Sequence, residues 1–466
     1  MKIGQIDISE VKLDLHCRDE IPALLRGLQF IYTQRSIRTK VFKLLEELVP
    51  LEVDMNNGRT GMDLWSIFVL GTLRLVCNWD YDKLQEIADN HITLRQMLGI
   101  GVFDCDKRFP RQTLNDNIRW FTPEVLDKIN QVVFEARNIV TGNPVSIHAR
   151  CDSFVVETDV HFPTDINLLW DAIRKTLSFM KNLSELYGVE GWRQAKHLLR
   201  KLKKLYRKCQ KERDKDKKSN ACLNTTTIYL QEAADILKRA QHTLDNLNDI
   251  EINRIATHEI QYFIEAGLKQ IDQAFRRCVK DEAIPHSEKV FSLFEPHTEW
   301  ISKGKAGVPQ ELGLRVCVVE SSDGFILHYR VMENVTDDKV AVPIIKETKQ
   351  RYEQLNSCSF DKGFHSPENQ IDLRKVLDLV VLPKKGKLNS SEKVHENSSE
   401  FRRLRRKHSA VESGINGLEH DRLSRCCDSG IVGFKRYVAL AVVARNIHLL
   451  GSKLRNRELE KIKRAA

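Results

Sequence analysis

Three carboxylates stand where a sheet-based fold would expose them. Asp152 lies within the β-rich run VSIHARCDSFVVETDVHF, Asp361 ends SCSFD, and Glu412 sits on the helical stretch after the last strand-like segment. They are distant in sequence but could converge at one sheet edge. Asp361 is followed by Lys362-Gly363-Phe364. A glycine just past a strand-end acid lets the chain turn away, leaving the carboxylate at the strand's carboxyl end, where open α/β folds bind ligands. Acids without His or Cys partners suit hard cations, Mg²⁺ with Mn²⁺ able to substitute, rather than zinc. Two such ions activate a nucleophile and stabilise a leaving oxygen in phosphodiester transfer. The plainer reading of any one Asp or Glu is a surface charge or a helix cap, and spacing alone does not remove it.

Other chemistries find less support. The eleven cysteines form no CxxC pair and no Cys/His spacing of a zinc site, and read as reduced, mostly buried thiols. Ser153 has no nucleophile-elbow pattern around it, and GKAGVPQELG lacks the Lys-Ser/Thr of a phosphate loop.

Asp159 and Asp165 compete with Asp152 for the first metal position. Asp165 follows Pro163-Thr164 and precedes Ile166, Leu168, Leu169 and Trp170, so a helix-capping role is expected for it. Asp159 lies seven residues beyond Asp152, roughly 23 Å along a straight strand, and on the opposite face. Asp152, among Phe154, Val155 and Val156, is costly to bury unless something positive compensates it.

The elements that must position these acids follow from periodicity. Residues 10–140 are helical, with breaks at Pro50, at Asn56-Asn57-Gly58 and around Gly99-Ile100-Gly101. Leu64 to Val76 is apolar nearly all round, a central helix. Short helices at Tyr81 to Asp89, Thr93 to Leu98 and Gln112 to Phe121 have a cadence compatible with a helix-turn-helix or with a plain bundle. After the Asp152 strand, a helix starts with Thr164 or Asp165 as N-cap, and Ile166 to Glu282 is almost continuously helical. Leu312 to Val319 and Phe325 to Met332 form a hairpin around Ser321-Ser322-Asp323-Gly324. Then come a helix (Lys339 to Leu355), the Ser357 to Asp361 strand, a helix (Pro367 to Leu377), a strand (Leu379 to Leu382), a flexible link (Lys384 to Ser399), one helix from Glu400 to Leu418, and a last apolar helix from Lys435 to Leu450. This order describes an α/β domain interrupted by an all-helical insertion. The expected division is a helical DNA-binding domain at 1–140, a catalytic domain at 141–165 and 286–466, and a basic insertion at 166–285.

At 466 residues and 41% hydrophobic the chain has ample material for real cores, which excludes a peptide, a fibre or a wholly disordered protein. No apolar run approaches the roughly twenty residues of a bilayer span, and the start reads as no signal peptide, so a cytoplasmic, nucleoid-associated protein without a membrane partner is expected. The 74 Lys and Arg exceed the 64 Asp and Glu by 10, and the excess is clustered, which suggests a polyanion partner. Between Arg193 and Lys218 thirteen basic residues face three acids, with Leu198, Leu202, Leu205 and Cys209 on one face. Lys201, Lys204, Lys208 and Lys211 are therefore candidate phosphate contacts, against the plainer reading of a solvated helix face. Lys303, Lys305, Arg402, Arg403, Arg405, Arg406 and Lys407 could hold DNA phosphates beside the ions. On one continuous helix Arg405 and His408 would share Glu412's side.

Three ordered blocks, RCDSFVVETDVHFPTDINLLWDAIR, SFDKGFHSPEN and RRLRRKHSAVESGINGLEHDRL, the last followed by GFKRYVALAVVARNIHLLG, resemble the DDE transposases of bacterial insertion sequences, of the ISNCY-like group. The resemblance implies an RNase H-like catalytic domain with Asp152, Asp361 and Glu412 as catalytic metal ligands, the last two 51 residues apart. It implies a transposase acting on double-stranded DNA, at element ends and at target. In the mechanism the resemblance implies, a water attacks the phosphodiester at an element end and frees a 3′-hydroxyl, which then attacks the target strand. Related enzymes often add Tyr, Arg and Lys around the glutamate. This chain has Arg405, His408 and Glu419 at those offsets, so those roles are not carried over. A homodimer or higher oligomer on DNA is expected. A structure-specific nuclease of the same fold, or a non-catalytic DNA-binding protein derived from a transposase, are the alternatives.

Overall fold

Four helices in the first part of the chain begin where an Asp or Thr side chain satisfies a free backbone N–H group. In the computed structural model, which describes residues 4–49, 61–247, 254–302 and 310–465, Asp19 caps α1 (Glu20–Thr33), Asp63 caps α3 (Leu64–Val76), and Thr122, with Pro123 in the first turn, caps α7 (Pro123–Thr141). Between them lie α2 (Arg35–Glu46), α4 (Tyr81–Asn90), α5 (Ile92–Met97) and α6 (Arg111–Ile118). Every α3 residue from Trp65 to Val76 is buried, as its all-round apolarity requires. The expected breaks at Pro50 and Asn56-Asn57-Gly58 lie outside the described residues.

The fold is mixed α/β, with one seven-stranded mixed sheet. Its strands are β1 (Ile147–Thr158), β2 (Glu299–Ser302), β3 (Gln310–Ser321), β4 (Ile326–Met332), β5 (Leu355–Phe360), β6 (Leu379–Val381) and β7 (Arg425–Cys426). Antiparallel pairing joins β4 to β3 and β3 to β1, whereas β1 pairs parallel with β5 and β5 with β6. Each parallel crossover carries a helix, α12 (Asp337–Arg351) before β5 and α13 (Pro367–Val376) before β6. Gly324, at φ +91°, makes the β3–β4 turn.

Beyond β6 come α14 (Ser390–Asn397), α15 (Ser399–His408), α16 (Ala410–Leu418) and α17 (Gly430–Ala465), and two expectations need correction there. The expected flexible link contains α14, whose start is a capping box in which Asn389 and Glu392 satisfy each other's backbone N–H groups. The single helix expected from Glu400 to Leu418 is interrupted at Ser409, whose hydroxyl bonds back to the Arg406 carbonyl.

The chain divides into two compact units, Met1–Asp159 with Ile301–Ala466, and Val160–Trp300. No boundary falls at residue 140. Side chains of α1, α3 and α7 share one hydrophobic core with the sheet and α17, so the helices expected as a separate domain belong to the unit that carries the acids. A Cβ on Gly27 would lie 2.2 Å from the Ile447 carbonyl oxygen, and one on Gly451 1.7 Å from that of Ala23. Glycine at both positions is what lets α1 and α17 pack backbone to backbone. Asn446, which splits the last apolar run, is fully buried. It accepts from Ile326 N–H and donates to the Ile326 carbonyl and to Asn130, linking α17, β4 and α7.

The second unit is a bundle of α8 (Asp165–Tyr187), α9 (Ala195–Lys215), α10 (Asn220–Asp245) and α11 (Arg254–Cys278), cored by Leu169, Ile173, Leu202, Tyr229, Leu237 and Ile264. Thr164, not Asp165, caps α8, its hydroxyl accepting from Asn167 N–H. Asp165 instead pairs with Arg277 at 3.1 Å, which corrects the capping role expected for it.

Candidate functional site

Strand pleating aligns two rows of polar side chains on one sheet face. On β1 they are His148, Arg150 and Asp152, and on β5 Ser357, Ser359 and, one residue past the strand, Asp361. In the parallel register His148 stands beside Ser357, Arg150 beside Ser359 and Cys151 beside Phe360, so the next step along both strands brings Asp152 next to Asp361. The interior face of a sheet covered by helices is ordinarily apolar. Here it is a polar track that ends in two acids, Asp152 in the middle of β1 and Asp361 just past the carboxyl end of β5.

Asp152 is partly buried, and Asp361 and Glu412 are exposed. The Asp152 carboxylate accepts the Ser153 N–H at 2.7 Å. Its pKa is nevertheless pushed up to about 7, mainly by burial, with like-charge repulsion from Asp361, Asp337 and Glu412 adding to it against the Ser153 bond. Asp361 and Glu412, far from Asp152 in sequence, thus both act on it in the fold.

Asp337 is a fourth acid that the sequence reading missed. It opens α12 and accepts the Ser153 hydroxyl at 2.6 Å. A Cβ on Gly363 would come within 3.0 Å of its carboxylate, which places Asp337 against the turn after Asp361. The Thr336-Asp337-Asp338 run reads as a helix start, and that signal hides any second role.

Glu412 is held in place through the floor of its helix. A Cβ on Gly414 would lie 1.9 Å from Glu320 Oε2, and one on Gly417 2.3 Å from an Arg445 guanidinium nitrogen. Glu320, on β3, is 3% exposed and pairs with Arg150 at 3.0 Å, and Arg445 on α17 bonds Asp421 at 3.4 Å. Two glycines three apart give α16 a bare stripe that rests on a buried carboxylate and a guanidinium. His408 bonds Ser359 at 3.0 Å. Burial lowers its pKa, while the charges of Asp361 and Glu412 oppose that shift, so it lies close to both acids.

The basic candidates divide. Arg402 donates to Asn397 at 2.6 Å and Arg405 lies 3.9 Å from Glu396, so both have partners on the neighbouring α14 segment. Arg403, Arg406 and Lys407 are exposed and have no carboxylate within ion-pair distance among the described residues. Lys303 and Lys305 lie outside the described residues. On α9, Leu202 and Cys209 are buried while Lys204, Lys208 and Lys211 are exposed; Lys201 is exposed but engaged with Glu232 at 2.6 Å. Asp159 is exposed and lies 3.6 Å from Arg425.

Among the described residues no group of three or more His, Cys, Asp or Glu side chains is close enough to share one metal ion. All eleven cysteines are free thiols. No helix among the described residues is long and apolar enough to cross a membrane. Comparison with protein-family models, with curated proteins and with solved structures finds no match to this chain.

Proposed function

We propose that this chain is a DDE transposase that binds insertion-sequence ends, cleaves them and joins them to target DNA. The observation that carries the reading is that the parallel register leads from Cys151 beside Phe360 to Asp152 on β1 and Asp361 just past β5, with Asp361 and Glu412 close enough to repel Asp152. A sheet whose antiparallel half, β4-β3-β1, joins at β1 to a parallel half, β1-β5-β6, supports an RNase H-like catalytic domain.

The donor set fits a hard divalent cation. It is all oxygen, and the partly buried Asp152, repelled by Asp361 and Glu412, gains from a positive charge placed among them. Asp152, Asp361 and Glu412 would hold Mg²⁺, or Mn²⁺ in its place, which when bound supplies electrostatic activation of the nucleophile and of the leaving oxygen. The side chains do not converge on one point, and the two exposed acids have the rotamer freedom to turn inward. The chain's own contribution is positioning. The β1–β5 register fixes Asp152 and Asp361, Gly414 and Gly417 seat the helix that carries Glu412, and Ser153 fixes one Asp152 oxygen through its N–H. Exposed Arg406 and the α9 lysines supply sequence-independent phosphate attraction. DNA in both partner roles, end and target, and assembly as a dimer or higher oligomer on it belong to the same proposal.

The test is strand transfer with paired element-end DNA and plasmid target in Mg²⁺. Asp361→Asn and Glu412→Gln should abolish joining while end binding stays within a few-fold. Joining that persists at more than a few per cent of wild type would sink the assignment. Cuts without joined products would favour a nuclease.

A further inference from the structure

The polar track does not stop at the acids. At its other end, between the sheet and α15, lies a cavity of about 400 Å³, within the range of small-molecule sites. Its sheet wall carries His148 and Ser357, bonded to each other at 2.5 Å, with Ser359 beside them. Leu379 and Val381 of β6 and Leu404 of α15 give it apolar surface. Its mouth carries Arg403 and Lys407, one turn apart on the α15 face that looks at the sheet, and the carboxylate of Glu400 one turn before them, which the two cations outnumber. These are two of the three members of the basic run with no acidic partner among the described residues, whereas Arg402 and Arg405 are engaged elsewhere. Arg150 also lines the cavity, but its fork is spent on Glu320 and on the Ser321 carbonyl.

We propose that this cavity binds one nucleoside monophosphate unit. Leu379, Val381 and Leu404 offer faces for a base, the His148–Ser357 pair and Ser359 offer donors and acceptors for its edge, and Arg403 and Lys407 take the phosphate. A ligand without a planar apolar part would leave the β6 wall unused, and one without an anion would leave both cations unpaired. His148 lies four positions before Asp152 on β1, roughly 13 Å, so the unit sits along the same track as the proposed reaction site. The unit is either a free nucleotide or the last nucleotide of a frayed strand, and the chemistry recognised is the same. The inference deepens the proposed function and rests on it for the second source only.

Isothermal titration of the full chain in EDTA tests it, with deoxyadenosine monophosphate, deoxyadenosine and inorganic phosphate as probes. The monophosphate should bind about tenfold or more tighter than either fragment. Arg403→Gln and Lys407→Gln, both at exposed positions, should each weaken it by roughly tenfold, the worth of one charge-assisted hydrogen bond. Displacement of the mononucleotide by a short single strand, but not by the same strand abasic at its end, assigns the strand as source. Displacement by neither assigns the free nucleotide. Absence of monophosphate binding at millimolar concentration, or binding indifferent to both substitutions, overturns the inference. Because the titration needs neither metal nor cleavage, bound nucleotide without strand transfer defeats the proposed function alone, and strand transfer without bound nucleotide defeats this inference alone.

Discussion

Replacing Gly414 by alanine tests whether α16 truly rests on Glu320. Ordinarily glycine to alanine within a helix stabilises by about 1 kcal/mol. Here the new methyl would stand 1.9 Å from Glu320 Oε2 and 2.8 Å from its Cδ, where roughly 3.5 Å is needed. Some 1.5 Å of movement must come from α16 or from the carboxylate. A flexible side-chain end would give cheaply, but this one is buried and ion-paired with Arg150, itself 11% exposed. Overpacking costs about 1–3 kcal/mol, and detaching a buried pair about 3–5 kcal/mol. Against the propensity gain, a net loss of about 2 kcal/mol is expected in urea denaturation. The loss should vanish in a Glu320→Ala background, where the methyl has room, leaving only the propensity gain. A penalty that stays the same in that background, or a Gly414→Ala protein more stable than wild type, would show that the helix does not rest on the carboxylate.

Other outcomes follow from the same geometry. Asp152 titrates near pH 7 in the fold against 3.8 for the ordinary group, so its burial as an anion costs stability that grows as pH rises from about 4 to 7, up to about 4 kcal/mol by linkage. Asp152→Asn should therefore abolish joining yet flatten the fall of melting temperature with pH in metal-free buffer, and an unchanged pH profile would refute the assigned burial. Gln at Lys204, Lys208 and Lys211 should lower the slope of log affinity against log salt by about 0.9 per lost phosphate contact, with Lys201→Gln contributing less because Glu232 already holds it. Equal slopes in all variants would mean a merely solvated face. Thr164→Ala should cost about 1 kcal/mol through the lost α8 cap, measured by thermal melting. Ca²⁺ in place of Mg²⁺ should permit end binding without cleavage in a gel assay, since its looser coordination misplaces the reacting oxygens.

Elements whose burial pattern is local were legible from residues alone. The all-round apolarity of Leu64–Val76, the β-branched run around Asp152 and the Ser321–Gly324 turn each announce one helix, strand or hairpin without reference to anything distant. What escaped was pairing. His148 and Ser357, or Arg150 and Ser359, form a polar track only because of a parallel register between segments about 200 residues apart, which neither run displays. Asp337 lies two residues before the Lys339 start expected for its helix, and its bond to Ser153 comes from a strand 184 positions away. The break at Ser409 has no proline or glycine to mark it, and the Ser409 hydroxyl that bonds back to the Arg406 carbonyl there is a contact the sequence does not announce. The expected division at residue 140 failed for a similar reason. The all-round apolarity of α3 was visible, but nothing in it names a helix at the other end of the chain as its partner.

That partner sets a timetable for folding. Gly27 must wait for Ile447, and Gly451 for Ala23, before α1 and α17 can close on each other. At about 5–20 residues per second of synthesis, some 20–80 seconds pass between the emergence of the first helix and that of the last. Throughout that interval Leu24, Leu25, Leu28 and the whole of α3 have no α17 to bury them. The nascent chain is thus a sustained client for holding chaperones. A ribosome that stalls before codon 430 would release an aggregation-prone product rather than a smaller working protein, and removing residues 1–140 would strip one wall from the core that α17 completes.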